Sequence, residues 1–389
     1  MKGPGGATWA VIAGGGTGGH LYPGIAVAEV LVARGHDRGS LRFVGARRGL
    51  EGRVGALAGV PFTLLPGRGF VRQVSLRGLL RNLQAAAELS LGVATAVARF
   101  YRWRPAVVIS TGGYASVPCL VAAAAWRVPV VAVSLDAVPG VADRLAARRA
   151  CACAVAGTGS LLPRAVVTGV PVRPEMSAVD RSPPRRRQAR ERLGIPVAAK
   201  VVLVSGGSLG ARRVNLATLD LVSRWAKRAD VAVRHVVGAR DWEEMRASVP
   251  RTGGLTYQPV RYEEDMATAY SAADVAVQRA GASTVAELAL AGVPAVLVPL
   301  PGAPGNHQAA NADALCRAGG AVVVPDAELD GERLSKELEA LLGDGERLAR
   351  MGAASRRLAR PEAAGEIAGL VESCATKAWS RGKEGTFAG

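Results

Sequence analysis

Short apolar runs alternate along the chain with longer Ala- and Leu-rich stretches in which apolar residues recur at helical spacing. The runs have the length of buried strands and the stretches have the length of helices, an alternation typical of α/β folds with parallel sheets. Strands are predicted in the first half at 8–13, 41–44, 62–65, 106–110, 128–133 and 165–168. In the second half they are predicted at 200–204, 231–237, 255–259, 275–278, 295–298 and 321–324.

Each half begins with the same motif, an apolar strand followed by a glycine-rich turn and a helix. The first glycine turn is GGGTGGH at 14–20, and the second glycine turn is GGSLGA at 206–211. A stretch rich in proline and charge at 171–196 is predicted to be a linker. We therefore predict two doubly wound, Rossmann-like domains, 1–170 and 197–357, facing each other across a cleft at the carboxyl ends of their strands. The polar residues 375–389 are predicted to form a flexible tail.

Composition limits the class of protein. With 389 residues, of which 49% are hydrophobic, the chain is long enough for two packed domains. It has no uninterrupted run of about 18 apolar residues and no secretory signal, which predicts a cytoplasmic protein that does not span a membrane. The five cysteines are scattered and lack a C-x-x-C pair, so we expect free thiols. There is no D-x-D motif and no His, Cys and carboxylate cluster with ligand spacing, so we expect no metal site.

The net charge of +17 is unevenly distributed. Residues 1–172 contain 19 Lys and Arg against 6 Asp and Glu, whereas the remainder contains 30 against 26. This excess indicates an anionic partner for the first half. Nucleic acid is disfavoured as that partner, because aromatic residues, which would stack on bases, make up only 4% of the chain.

The two glycine turns are candidate phosphate sites. Glycine lets the backbone approach a ligand closely, and the helix that follows presents free N–H groups to an anion. Neither turn is followed by Gly-Lys-Ser/Thr, and neither fits the dinucleotide-binding pattern, so Walker-type and dinucleotide sites are disfavoured. His20 ends the first glycine turn, where an imidazole can take a proton from a hydroxyl nucleophile.

Ten short motifs follow one another along roughly residues 8–325. They are GGGTGGH (14–20), YPG (22–24), STGGY (110–114), AVPG (137–140), TGVPVR (168–173), GGSLGA (206–211), YEEDM (262–266), RAGASTVAE (279–287), NHQ (306–308) and NA (311–312). In this order they resemble the MurG family, the N-acetylglucosaminyltransferases that convert lipid I to lipid II in peptidoglycan synthesis. The motifs are jointly far more specific than any one of them alone.

This resemblance implies the GT-B fold, a metal-independent inverting displacement, UDP-GlcNAc as the donor substrate and no cofactor. It implies a lipid-diphosphate-linked sugar as the acceptor, a peripheral location at the cytoplasmic face of the cell membrane, and a C-terminal helix, about 358–374, that returns to the first domain. His20 would be the catalytic base, and Glu287 would accept hydrogen bonds from both ribose hydroxyl groups. The other donor-binding residues would be Thr17, Gly18, Gly19, Asp136, Arg173, Ser208, Ala282, Ser283, Thr284, His307 and Gln308.

The segment just before the AVPG motif departs from the family pattern. Family members commonly have His-Glu-x-Asn there, whereas this chain has VSLD at 133–136. Asp136 keeps a hydrogen-bond acceptor but loses the amide donor. Two alternatives therefore stay open. One is a related UDP-sugar transferase acting on a glycolipid or natural-product acceptor, and the other is a catalytically silent paralogue that binds the nucleotide sugar.

Residues 68–83 combine leucines with arginines. Four leucines fall at i, i+3, i+4 and i+7, on one face of a helix, with arginines beside them, and no acidic residue occurs between Glu51 and Glu88. A leucine stripe ordinarily faces the protein core, but the family places its membrane-contacting patch in the corresponding segment. The residues predicted to contact an anionic membrane surface are Arg72, Leu76, Leu79, Leu80, Arg81 and Leu83.

Overall fold

A computed structural model of the chain describes residues 8–15, 18–46, 59–69, 75–207 and 209–384. The chain divides into two compact units. The first unit contains Met1–Arg173 together with Glu362–Gly389, and the second contains Pro174–Pro361. Each unit is built on a parallel sheet with helices packed against it, as the alternating sequence pattern predicts.

In the sheet of the first unit, the strand order reverses beside the first glycine turn. Its described strands are β1 (Ala10–Gly14), β2 (Leu41–Ala46), β3 (Phe62–Leu65), β4 (Val107–Gly112), β5 (Val130–Ser134), β6 (Ala150–Val155) and β7 (Ala165–Val167). They are parallel and lie in the order β3-β2-β1-β4-β5-β6-β7. The strand order therefore reverses between β1 and β4, and the carboxyl ends of these two strands flank the position where such folds bind ligands. β6 is an additional strand that the sequence pattern does not predict.

Within the described residues, four helices connect these strands. They are α1 (Gly18–Ala33), α2 (Leu76–Trp103), α3 (Val117–Ala125) and α4 (Val141–Ala147). α2 begins where the Ser75 hydroxyl accepts a hydrogen bond from the backbone N–H of Gly78 at 3.0 Å, the usual N-terminal cap. One face of α2, which includes Ala85, Ala96 and Phe100, is buried.

The second unit is also built on a parallel sheet in which the strand order reverses once. Its described strands are β8 (Lys200–Ser205), β9 (Val231–Val236), β10 (Thr256–Val260), β11 (Val275–Gln278), β12 (Ala295–Leu297) and β13 (Ala321–Val323). They lie parallel in the order β10-β9-β8-β11-β12-β13, so the reversal falls between β8 and β11. The helices are α5 (Pro174–Ser177), α6 (Pro183–Arg192), α7 (Arg212–Arg224), α8 (Trp242–Ala247), α9 (Met266–Ala272), α10 (Ala282–Ala291), α11 (His307–Arg317), α12 (Gly331–Leu342) and α13 (Gly345–Arg357).

The proline- and charge-rich stretch 171–196 contains α5 and α6. α6 is tied to the second sheet through Asp274, the residue before β11. Oδ2 of Asp274 lies 2.8 Å from Nη2 of Arg190 and accepts a hydrogen bond from the backbone N–H of Val201 at 2.6 Å. Because one half-buried carboxylate joins a helix to two strands, α6 is part of the second unit and not a free connector.

The chain returns to the first unit in α14 (Ala363–Glu384). Ile367 and Val371 of this helix are buried, and the carboxylate of Glu372 pairs with Arg34 at 2.9 Å and with Nε2 of His36 at 3.1 Å. α14 extends to Glu384, beyond the predicted helix end near 374, so much of the segment predicted to be a tail is helical.

Cys151 of β6 and Cys374 of α14 form a disulfide that spans 223 residues of sequence. The expectation of free thiols is wrong for this pair, because the fold brings together two cysteines that no local spacing connects. Cys119, Cys153 and Cys316 are free. Burial raises the pKa of the Cys119 thiol to about 12. That thiol is therefore neutral and unreactive near neutral pH.

Candidate active site

His20 lies in the first turn of α1, and its ring is held by the end of β4. Nδ1 of His20 lies 2.9 Å from the carbonyl oxygen of Thr111. Since a carbonyl oxygen only accepts hydrogen bonds, Nδ1 carries the proton of the neutral imidazole and Nε2 has the lone pair. Nε2 is therefore the atom of His20 that can take up a proton.

Two glycines allow β4 to approach this imidazole. Gly112 and Gly113 have φ angles of 89° and 76°, in the left-handed region that favours glycine. A Cβ atom at Gly112 would lie 3.4 Å from Nδ1 of His20, and one at Gly113 would lie 3.3 Å from Cδ2 of the same ring. The STGGY motif therefore both provides the Thr111 carbonyl and makes room for the ring.

A carboxylate that the sequence pattern does not single out lies beside His20. Asp143, in the first turn of α4, is 8% exposed, and its Oδ2 accepts a hydrogen bond from the backbone N–H of Gly140 at 2.9 Å. Burial raises the pKa of the Asp143 carboxyl, whereas the Gly140 N–H and His20 lower this pKa and Asp136 raises it. The only signal in the sequence is an acidic residue three positions after Gly140, a spacing typical of a helix cap.

Arg173 and Tyr22, which come from two separate motifs, meet in the first unit. The guanidinium carbon of Arg173 lies 5.0 Å from the centroid of the Tyr22 ring, a cation–π distance. This contact places Arg173 against α1, two residues beyond His20. The other predicted residues of this unit are Asp136, which is half-buried shortly after β5, Gly18 and Gly19, which begin α1, and Thr17, which lies outside the described residues.

In the second unit, the second glycine turn follows β8 and leads into α7. Gly210 has a φ angle of 86°, and Gly238, at the end of β9, has one of 91°. A Cβ atom on Gly210 would collide with the carbonyl oxygen of Val237, and one on Gly238 would collide with the backbone of Gly210. This close approach fixes the turn at the N-terminus of α7, where free N–H groups can bind a phosphate. Ser208 lies outside the described residues.

Glu287 lies on the second turn of α10 and is oriented by a buried tyrosine. The hydroxyl group of Tyr270 lies 3.3 Å from Oε2 of Glu287 and 3.0 Å from Oε1 of Gln278. Tyr270 is 1% exposed, and its hydroxyl group lies between these two acceptor oxygens on the buried side of the half-buried carboxylate. Glu287 is predicted from its motif, whereas Tyr270 is not, because a tyrosine on a short helix carries no signal of this contact.

The remaining predicted residues lie at the starts of two neighbouring helices. Residues 282–284 form the first turn of α10, and His307 and Gln308 begin α11. Nδ2 of Asn311, which is buried, donates to the carbonyl oxygen of Ala280 at 3.1 Å and so joins α11 to the turn before α10. Oε1 of Gln308 accepts a hydrogen bond from a backbone N–H of the preceding loop at 2.9 Å. The Gln308 amide nitrogen is the part of this side chain that suits a ligand acceptor.

The leucine stripe of α2 faces away from the core. Leu79, Leu80 and Leu83 are 57%, 55% and 59% exposed, and Arg81 is exposed beside them. Of the other residues predicted to contact a membrane, Arg72 and the side chain of Leu76 lie outside the described parts of the chain. No helix within those parts is long and apolar enough to cross a membrane. The same parts contain no group of three His, Cys, Asp or Glu side chains that could hold a metal ion.

The enzyme class of the protein follows from two family domains that match its sequence. The N-terminal domain of glycosyltransferase family 28 matches residues 10–155, and the C-terminal domain of the same family matches residues 201–367. With one domain matched in each unit, the protein is a family 28 glycosyltransferase. The predicted fold class of two Rossmann-like domains is confirmed.

Relatives that match almost the whole chain identify the family within this class of glycosyltransferases. A "UDP-N-acetylglucosamine--N-acetylmuramyl-(pentapeptide) pyrophosphoryl-undecaprenol N-acetylglucosamine transferase" of Desulforudis audaxviator is 38% identical over 377 residues, 94% of this chain and 98% of the relative. A relative of the same name from Halorhodospira halophila is 40% identical and covers the same shares of the two chains. The crystal structure of Acinetobacter baumannii MurG matches with a TM-score of 0.73 and 28% identity, over 94% of this chain and 99% of that one. The chain belongs to the MurG family.

Proposed function

We propose that the protein transfers GlcNAc from UDP-GlcNAc to undecaprenyl-diphosphate-MurNAc-pentapeptide. Relatives that match almost end to end are named for this reaction. The observation that carries the proposal is the hydrogen bond from His20 to the Thr111 carbonyl, because it leaves Nε2 as a base in the first unit. The second unit would bind the donor.

In the proposed reaction, Nε2 of His20 takes the proton of the acceptor hydroxyl as the hydroxyl oxygen attacks C1 of GlcNAc. The new C1–O bond forms while the bond from C1 to the diphosphate oxygen breaks, and the electron pair leaves with UDP. Attack from the opposite face inverts the α donor to a β product. N–H groups of the second glycine turn, at the positive end of α7, would stabilise the charge that develops on the diphosphate.

Donor recognition is assigned to the residues that the sequence motifs predict to bind the donor. The Glu287 carboxylate would accept hydrogen bonds from the ribose hydroxyl groups, because the Tyr270 hydroxyl holds it in place from the buried side. The diphosphate would contact Thr17, Gly18, Gly19 and Ser208, and the rest of the donor would contact Asp136, Arg173, Ala282, Ser283, Thr284, His307 and Gln308.

A lipid-linked acceptor requires the enzyme to work at a membrane surface, and we assign that contact to α2. Its exposed leucines would enter the headgroup boundary, and exposed arginines such as Arg81 would bind anionic lipid. The protein would then be peripheral at the cytoplasmic face of the cell membrane.

The test is incubation of the protein with radiolabelled UDP-GlcNAc and a panel of acceptors. We expect label to enter polyprenyl-diphosphate-MurNAc-pentapeptide, and the His20→Ala variant to turn over roughly 10²–10⁴-fold more slowly, the usual range for loss of a general base. UDP-GlcNAc affinity should change much less. Label found only in another glycolipid or in an aglycone would replace the acceptor. Donor binding without turnover on any acceptor would identify a silent paralogue.

A further inference from the structure

Asp143 lies beside His20, and the proposed reaction assigns no part to its carboxylate. A Cβ atom placed on Gly112 would lie 2.8 Å from Oδ1 of Asp143 and 3.4 Å from Nδ1 of His20. The carboxylate and the imidazole therefore border the same small space. Since Oδ2 is held by the Gly140 N–H at 2.9 Å, the orientation of this carboxylate is fixed.

The charged and titratable groups near the pair come from several elements. Asp136, from the segment after β5, opposes ionisation of Asp143, whereas His20 favours it. The thiol of Cys153, on β6, senses the Asp143 charge and also that of Arg164. A positively charged His20 and the Asp143 carboxylate therefore stabilise each other.

Other charges on and around α1 are engaged elsewhere. At the far end of the helix, Arg34 and His36 pair with Glu372 of α14. Closer to His20, the guanidinium group of Arg173 lies over the Tyr22 ring. Asp143 is thus an acidic group that lies beside His20, and Asp136 lies near Asp143.

We propose that Asp143 is a positioning residue that acts through His20. Its buried carboxylate stabilises the imidazolium formed when Nε2 takes the acceptor proton. The proposal rests on the assignment of His20 as the base. Asp143 would then have two functions with different chemical requirements. Capping α4 needs only an oxygen that accepts from Gly140, which an asparagine would supply, whereas stabilising a cation needs the negative charge.

The Asp143→Asn variant separates these two functions. It keeps the shape and the cap acceptor but removes the charge. We expect the acid limb of the pH profile of kcat/KM for the acceptor to move to lower pH by about one unit, the small end of the effect of a nearby opposite charge. Turnover at neutral pH should fall about tenfold, which corresponds to one such unit, while KM for UDP-GlcNAc stays unchanged.

A second measurement does not depend on turnover. The chain has four histidines, so selectively labelled protein gives resolvable ring resonances, and His20→Ala assigns one of them. In Asp143→Asn, the His20 resonance should titrate at lower pH than in the unmodified protein. The His36 resonance serves as the internal control and should not move, since that ring faces Glu372 at the other end of α1.

The outcomes distinguish this inference from the function on which it rests. An unmoved His20 resonance in a folded Asp143→Asn protein overturns the positioning role, whatever the activity. Full turnover in His20→Ala overturns the assignment of the base, and the role of Asp143 in catalysis with it. A shifted resonance together with a shifted acid limb and an unchanged donor KM supports both.

Discussion

Single side chains in this protein take their orientation from buried neighbours. Glu287 is half-buried, and the hydroxyl group beneath it belongs to Tyr270, which is almost completely buried and also contacts Gln278. In the proposed function, Glu287 binds the donor and Tyr270 orients the Glu287 carboxylate.

This arrangement predicts a graded loss of donor affinity. Glu287→Ala should weaken UDP-GlcNAc binding by about 1–3 kcal/mol, the scale of lost hydrogen bonds to a charged group. Tyr270→Phe should weaken it by about 0.5–1.5 kcal/mol, because it removes only the orienting bond. Isothermal titration calorimetry measures both, with Glu332→Ala, an exposed carboxylate of α12, as the matched control. Unchanged affinity in a folded Glu287→Ala protein would remove this residue from the donor site.

A second buried network makes the stability of the second unit sensitive to pH. Nδ1 of His235 accepts from the Tyr257 hydroxyl at 2.9 Å, and Nε2 donates to Oδ1 of Asn215 at 3.1 Å. Nδ2 of Asn215 in turn donates to Oδ2 of Asp241 at 3.0 Å. Burial lowers the pKa of His235 to about 3, so the ring is neutral in the folded protein.

The sign of the pH effect follows from this depressed pKa. Below the ordinary histidine value of about 6.5 the unfolded chain binds a proton that the folded protein does not, so the free energy of unfolding falls as pH falls towards 3. From pH 7 to pH 5 this group alone should cost about 2 kcal/mol. Urea unfolding at both pH values measures the loss. His235→Gln should be less stable at pH 7 but should lose about 2 kcal/mol less between the two values. An equal loss in both proteins would contradict the prediction.

At the scale of elements, α2 presents two different faces. Ala85, Ala96 and Phe100 are packed against the first unit, whereas the leucines on the opposite side are in solvent. Arg68 is not available to a membrane in the same way as Arg81, since it forms an ion pair with Glu88 at 2.9 Å. The exposed leucines and Arg81 therefore define the surface to be tested.

Vesicle co-sedimentation tests this surface. Leu79→Glu combined with Arg81→Glu should abolish most binding to anionic vesicles, because it removes both an apolar insertion and a positive charge. Leu216→Glu combined with Arg251→Glu makes the same chemical change at exposed positions of the second unit and should have little effect. Undiminished binding of the α2 variant, with native circular dichroism, would refute the assignment.

The sequence predicts most elements but only part of the site. Buried parallel strands are short blocks of valine and leucine, so their alternation with helices is visible, and the described strands lie within about two residues of the predicted ends. β6 is not predicted because Ala150–Val155 contains alanine and cysteine in place of β-branched residues. The positions of Asp143 beside His20 and of Tyr270 beside Glu287 are not predicted, because they depend on contacts that only the folded chain makes. The disulfide is missed for the same reason.

At the scale of the whole molecule, α14 is fastened to the first unit by the disulfide as well as by packing. A cross-link that spans 223 residues greatly restricts the unfolded chain. Reduction with dithiothreitol should therefore lower the free energy of unfolding of the first unit by about 2–4 kcal/mol. Cys374→Ser should show the same loss and no further response to dithiothreitol. Cys316→Ser, a free thiol of the second unit, is the matched control and should respond like the unmodified protein. Equal stability of oxidised and reduced protein would contradict the prediction.

The return of the chain in α14 has a consequence for synthesis on the ribosome. The second unit is one continuous stretch, so all of it emerges before α14 does, and it can complete its folding first. Domains that are made first usually fold first. Here we expect the inverse order, because the surface that receives Ile367 and Val371 stays uncovered until α14 leaves the exit tunnel. The earlier-made half of a nascent chain would thus present an apolar surface to chaperones for longer than the later-made half.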